Sequence, residues 1–189
     1  MENTSLNLAG KLLIAMPDMG DPRFDHSVIY ICDHTQDGTM GLIINKPRPK
    51  LRYVKLLQEL GIEVDGIVRD KLVHFGGPVE RMRGFVLHSS EYQSETGTMS
   101  VDGGLSMSAT MDVLVDIASG SGPHQAILAL GYAGWGPDQL EGEIGQNSWL
   151  TCDATDDVVF NTDNDDKWEM ALKTLGVSPM LLSSAAGHA

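Results

Sequence analysis

The side chains that can do chemistry are spread thinly along this chain. Histidines at 74 and 88 lie in Leu72-Val73-His74-Phe75-Gly76-Gly77-Pro78 and in Gly84-Phe85-Val86-Leu87-His88-Ser89. Two histidines beside a glycine pair that frees backbone N–H groups come nearest to acid–base machinery. If their two apolar segments pair as strands, His74 and His88 approach one another. No nucleophile is placed with them. Ser89 and Ser90 lack the Gly-X-Ser-X-Gly elbow, and sequence alone orders no triad. His26 and His34 share one face of an extended segment, yet eight strand residues hold them roughly 26 Å apart, too far for one metal ion. His26 reads as a hydrogen-bonding residue at a strand end, open to a site built with other segments. Cys32 and Cys152 have no Cys-X-X-Cys spacing and read as buried thiols. Asn161, Asp163 and Asp165 alternate as in a calcium loop, but Asp166 stands where glycine is needed and Leu172 where glutamate is needed. No metal and no cofactor is expected.

These groups must be positioned by strands and a few helices. Ala126-Ile127-Leu128-Ala129-Leu130 is an apolar run without alternation, the mark of a strand buried on both faces. Gly131-Tyr132-Ala133-Gly134-Trp135-Gly136-Pro137 follows. Its glycines permit a sharp strand-to-helix turn, with Gly136 as N-cap and Pro137 at the first helical position. Such a turn either packs closely or cradles an anion; Asp138 opposes the second role. Leu140 and Ile144 would face the core, with Glu141 and Glu143 in solvent. Strands are expected over 10–16, 26–34, 40–45, 72–75, 98–101 and 148–152, with Gln36-Asp37-Gly38 as a hairpin turn. Helices are expected over 51–60 and over 110–118, the latter burying Met111, Leu114, Val115 and Ala118. Asp112 and Asp116 read as a solvated face. A further helix starts near a Thr162/Asp165 capping box and buries Trp168, Ala171, Leu172 and Leu175.

Four separated motifs carry a family resemblance: GKLLIAMPDMGDPRFDHSVIYICDHTQDGTMGLIINKP; HFGGPV with GFVLH; GYAGWGPDQLEGEI with NSWL; and DKWEMALKTLGVSPMLLSSAAGHA. In this order they strongly resemble the YqgE/AlgH family of bacterial proteins, over most of the chain. The resemblance implies a bent, branching, mostly antiparallel sheet rolled into a partial barrel, with helices outside. It also implies an association with transcriptional regulation of alginate production. It implies no reaction or ligand. The KPRPKLRYVK segment is more basic than the residues expected after the family's Asn-Lys-Pro motif.

Composition bounds the rest. The 189 residues suit one domain spanning 1–189, and the element order suits an α+β or three-layer α/β/α-like class. No apolar run approaches the roughly 20 residues of a membrane helix, and no basic region precedes the first apolar stretch, so a cytoplasmic protein is expected. The net charge is −13, yet Lys46, Arg48, Lys50, Arg52, Lys55, Arg69, Lys71, Arg81 and Arg83 fall in one region, and after Arg83 only Lys167 and Lys173 are basic. Such polarity either is plain solvated surface or steers an acidic partner, or another copy's acidic side. Direct nucleic-acid binding is disfavoured by the net charge. Two functions follow. One is a regulatory binding protein acting through a protein partner. The other is a small-ligand binder or enzyme, with a site drawn from His26, Asn45, Lys46, His74, Gly76, Gly77, His88, Gly131, Gly134 and Trp135. One polar cleft gathering those residues would favour the second.

Overall fold

The computed structural model describes residues 7–182, so the family-like ending from Ser183 to Ala189 lies outside the described residues. Its strands are β1 (Lys11–Ala15), β2 (Val28–Thr35), β3 (Gly38–Ile43), β4 (Pro47–Arg52), β5 (Leu72–Phe75), β6 (Val79–Ser89), β7 (Thr98–Ser100), β8 (Leu105–Ser108), β9 (Ala126–Trp135) and β10 (Trp149–Asp153). The helices are α1 (Tyr53–Glu59), α2 (Met111–Ser119), α3 (Gln139–Gly145) and α4 (Lys167–Thr174). All ten strands join one sheet, in the order β10-β1-β2-β3-β9-β6-β8-β7, with β4 and β5 as a side branch. Every strand pair is antiparallel except β5 with β9. The sheet curls into a half-barrel.

The branch has a simple cause. One edge of β9 pairs with β6 along most of its length. The other edge takes β5 at Ala129 and Leu130, then β3 from Ala133 to Trp135. Gly76 sits at the fork. Its N–H donates to the Leu130 carbonyl and its own carbonyl accepts from Ile43 N–H, both at 2.9 Å. A two-way split of one edge needs backbones closer than side chains allow, so glycine is required there.

Alternate residues of the strands feed different cores. Leu12, Ile14, Val28, Tyr30, Phe85, Leu87, Ile127 and Ala129 fill the concave side, capped by Val158, Val159, Trp168, Ala171 and Leu172. Val73, Val86, Leu128 and Leu130 pack under α1 and α2 with Tyr53, Leu57, Val113 and Leu114. Leu13, Ile29, Ile31, Ala133 and Trp135 form a third cluster with Leu140 and Trp149. Strands covered on both faces read as unbroken apolar runs, which is why 126–130 shows no alternation.

Several local expectations need correction. Gly131–Trp135 is not a strand-to-helix turn but the continuation of β9, because pairing with β3 rewards extension there. The helix that follows starts at Gln139 behind Asp138, which is left-handed at φ 58°; Gly136 and Pro137 precede it. His26 is not on a strand, since its φ is 52° and β2 begins at Val28. In α2 the buried residues are Val113, Leu114 and Ala118, while Met111 and Val115 are about half exposed, 52% and 49%. Asp112 and Asp116 are not merely solvated: Asp112 accepts from Thr96 N–H at 3.0 Å, and Asp116 accepts from the Tyr92 hydroxyl at 2.5 Å, fastening the 92–98 loop to α2. Thr162 does not start α4. It closes a π-helical turn over Asp157–Asn161, its hydroxyl donating to the Asp157 carbonyl at 2.7 Å, and α4 begins at Lys167. Leu175 is correspondingly exposed. Among the described residues no helix is long and apolar enough to cross a membrane.

Candidate functional site

His74 and His88 do not meet. β5 and β6 pair with opposite edges of β9, so that strand lies between the two rings. His88 is fully buried under α2. Its Nδ1 is 2.9 Å from the Ser89 carbonyl, which fixes the proton on Nδ1 and leaves Nε2 to accept from the Ser108 hydroxyl, also at 2.9 Å. Ser108 Oγ is in turn 2.9 Å from Thr98 Oγ1, so the group ties β6, β8 and β7 together.

His74 belongs to a different network. Asn164 Oδ1 lies 2.9 Å from His74 Nε2 and 3.3 Å from Lys167 Nζ, and the ammonium also donates to the Ile44 carbonyl at 2.9 Å. An oxygen that already accepts from an ammonium assigns the imidazole proton to Nε2. His74 Nδ1 is then a buried lone pair beside the Leu72 backbone, without a well-formed hydrogen bond. Burial pulls the ring's pKa down to about 4, and burial also pulls Lys167 down to about 8. This network pins α4 to the barrel mouth.

It makes a signed prediction. Below its ordinary value of 6.5 the unfolded ring binds a proton that the folded ring refuses until about pH 4. Stability is therefore full above pH 6.5 and is lost as pH falls toward 4, by about 3 kcal/mol at most. Urea unfolding of the wild type and His74→Gln across pH 4–7 isolates this part, since the variant lacks it while sharing every carboxylate effect. Parallel pH curves would contradict it.

Asn45 is a clamp: its Oδ1 accepts from Val28 N–H and its Nδ2 donates to the His26 carbonyl, both at 2.8 Å. The His26 ring lies 4.5 Å from the Trp168 ring, at the surface, with Nδ1 2.8 Å from Asp25. The Lys46 carbonyl accepts from Phe75 N–H at 2.8 Å, holding the branch to β5, and partial burial lowers its ammonium's pKa. Gly76, Gly77 and Gly131 form a backbone crossing: a Cβ at Gly77 would fall 2.2 Å from the Tyr132 carbonyl oxygen, and one at Gly76 2.2 Å from that of Gly131. Gly134 and Trp135 do line a cleft, of about 480 Å3, together with Arg23, Phe24, Gln139 and Trp149. The carboxylates that line it, Glu143 and Asp21, are both committed. Glu143 Oε2 accepts from Trp135 Nε1 at 3.0 Å and from Trp149 Nε1 at 2.7 Å, and Oε1 accepts from Gln139 at 3.0 Å. Helical spacing puts Glu143 in solvent; the tryptophans that flank its helix, Trp135 and Trp149, are the signal for its buried role. Arg23 at the rim pairs with Asp21 at 2.6 Å. The ten residues are not gathered into one site.

What the fold does gather is the basic segment. Residues 46–71 carry seven cations against four acids, and they form β4, α1 and the loop into β5, the side branch of the sheet. Lys50, Arg52 and Lys55 are exposed along it. Arg81 reaches the same branch by lying over the Phe75 ring at 5.7 Å, whereas Arg83 lies over Phe85. Among the described residues β4 pairs with β5 alone, and it carries Pro47 and Pro49. Prolines and charges protect such an edge from pairing with another strand.

The architecture can be compared with known proteins. A family model described as AlgH-like matches residues 12–180. The chain belongs to the AlgH-like family. It is similar to a UPF0301 protein of Ruegeria pomeroyi, 54% identical over 97% of this chain and 100% of the relative. A UPF0301 protein of Rhodospirillum rubrum is 52% identical over 96% of this chain and 94% of its own length. The solution structure of the AlgH protein from Pseudomonas aeruginosa covers 100% of both chains with a TM-score of 0.77 at 40% identity. A crystal structure of a Corynebacterium diphtheriae protein shares the AlgH-like fold alone, with a TM-score of 0.74 at 20% identity over 97% of this chain and 95% of that one. The half-barrel expected from the four motifs is thus the family's architecture.

Proposed function

We propose that the protein is a cytoplasmic, non-catalytic regulatory protein, associated with transcription, that acts by taking an acidic protein partner on its basic branch. The observation that carries this reading is the segregation of charge. In a chain of net charge −13, seven cations stand on one structural branch. A field of that shape draws an acidic surface to the branch and repels it elsewhere. The guarded edge of β4 favours recognition through side chains over addition of a strand. Binding rather than chemistry is supported by His88, Asn45 and Glu143, whose polar groups are engaged in holding the fold, and by His74, whose Nε2 is tied to Asn164. The link to transcription rests on kinship with the family, and the net charge disfavours DNA as the direct target.

The test is affinity capture with the wild type and with Lys50→Glu, Arg52→Glu, Lys55→Glu together. These side chains are exposed, so the fold should hold. A protein captured by the wild type, once purified, should bind it with an affinity that falls with salt, and should bind the triple variant at least tenfold more weakly. Self-association lost at high salt and in the variant would make the partner a second copy of this chain. Equal capture by both proteins would sink the reading.

A further inference from the structure

At the root of the branch lies a cleft of about 160 Å3 between the loop leading into β5 and the end of α2. Tyr53, Ile67 and Ile117 give it apolar walls, and Arg69, Lys71 and His124 stand on it. Three features mark it out. First, Arg69 and Lys71 bring two cations to one small cavity, and among the described residues neither forms an ion pair. Second, the acid between them in sequence is not on the cleft. Asp70 instead accepts from Val54 N–H at the start of α1 at 3.1 Å and faces Arg52 at 3.9 Å. Third, among the described residues no carboxylate lines the cavity; Glu91 lies 3.8 Å from the His124 ring and is occupied by the His124 N–H at 2.7 Å. Among its described residues, this acidic protein has thus left two cations without an ion pair beside a partly apolar cleft.

We propose that this cleft is a binding site for a small organic anion, a phosphate monoester or carboxylate carried on an apolar body about the size of one ring. The size follows from the cavity. An enclosed apolar space of roughly 150 Å3 accepts a benzene ring; this cleft, open to solvent and lined by both apolar and cationic residues, has a similar volume. The anion sits against Arg69 and Lys71, whose fork and ammonium suit phosphate and carboxylate oxygens. The apolar body rests on Ile67, Ile117 and the Tyr53 ring. Tyr53 itself is held in place, since its hydroxyl donates to the Ala126 carbonyl at 3.3 Å and accepts from Leu128 N–H at 2.7 Å. Desolvation, and then the repulsion of Arg69, already lower the pKa of Lys71. A bound anion relieves that repulsion, so binding is favoured where the empty site is strained electrostatically. The site goes beyond the partner reading: Arg69 and Lys71 belong to the same branch, but here they take a free small molecule in the cleft rather than an acidic surface at the exposed edge of Lys50, Arg52 and Lys55.

The test uses phenyl phosphate, benzoate and the neutral benzyl alcohol, followed by amide chemical shifts of the full chain. Phenyl phosphate or benzoate should give saturable shifts at 67–71 and 117–124, and whichever binds tighter identifies the anion. Benzyl alcohol should bind at least tenfold more weakly. Lys71→Met should weaken the anion at least tenfold, Lys71→Arg should retain it, and shifts elsewhere report that both variants keep the fold. No saturable shift, equal binding of benzyl alcohol, or unchanged affinity in Lys71→Met overturns the proposal. Lys50, Arg52 and Lys55 are untouched here, so its failure leaves partner binding by the branch intact, and failure of partner capture leaves this titration unaffected.

Discussion

Gly131→Ala is expected to destabilise the protein by about 3 kcal/mol or more, enough to threaten folding of a marginally stable domain. Gly131 has φ +77°, and a Cβ there would stand 2.4 Å from the Gly77 carbonyl oxygen and 3.0 Å from that of Val79. Both obstacles are backbone, so neither can rotate away. Part of the cost is the left-handed conformation itself, about 1 kcal/mol for a residue with a side chain. The rest comes from prying apart the crossing where β5 leaves β9. Guanidinium unfolding measures it, with Gly142→Ala as control. Gly142 lies in α3 with nothing within 4 Å of its would-be Cβ. There alanine should stabilise by about 0.5–1 kcal/mol. A Gly131→Ala protein as stable as the wild type would mean the crossing is looser than described.

Glu143→Ala is the second large effect, at about 3 kcal/mol. The carboxylate is the shared acceptor of the Trp135 and Trp149 indole N–H groups, whose rings meet edge to face at 5.9 Å. Both tryptophans are nearly buried, at 6% and 2% exposure. Removing the acceptor strands two buried donors, each costing about 1–3 kcal/mol and together less than the sum. Glu143→Gln keeps an acceptor oxygen and should cost about half as much. A double-mutant cycle with Trp135→Phe checks the cause. In the Trp135→Phe background one donor is already gone, so Glu143→Ala should cost about 1 kcal/mol less. Strict additivity would show that Glu143 does not serve Trp135.

How much of this was legible in the residues depends on whether the cause was local. The β2–β3 hairpin, β10 and helices α1 and α2 announce themselves through apolar runs, Asp-Gly and helical spacing. The half-barrel came from the family motifs, and the branching of β9 has no local signal, since it depends on which edges pair. The Gly131–Pro137 segment reads as a turn because glycines that permit a turn equally permit a close crossing of backbones. Only partner segments far away in sequence, β3 and the Gly76-Gly77 pair, decide between them. The histidines failed for the same reason: β9 lies between His74 and His88, and each found a structural partner, Asn164 or Ser108, in a distant segment. The charge asymmetry was visible at once. What sequence could not give is that Asp70 turns to Val54 and Arg52 while Arg69 and Lys71 line one cleft.

Whether the basic branch is the recognition face can be read from hydrogen–deuterium exchange of the chain, free and bound to its captured partner. Exchange should slow at the amides of residues 46–71, less so as salt is raised. Protection centred on the Trp135 cleft, with 46–71 exchanging as in the free protein, would contradict it.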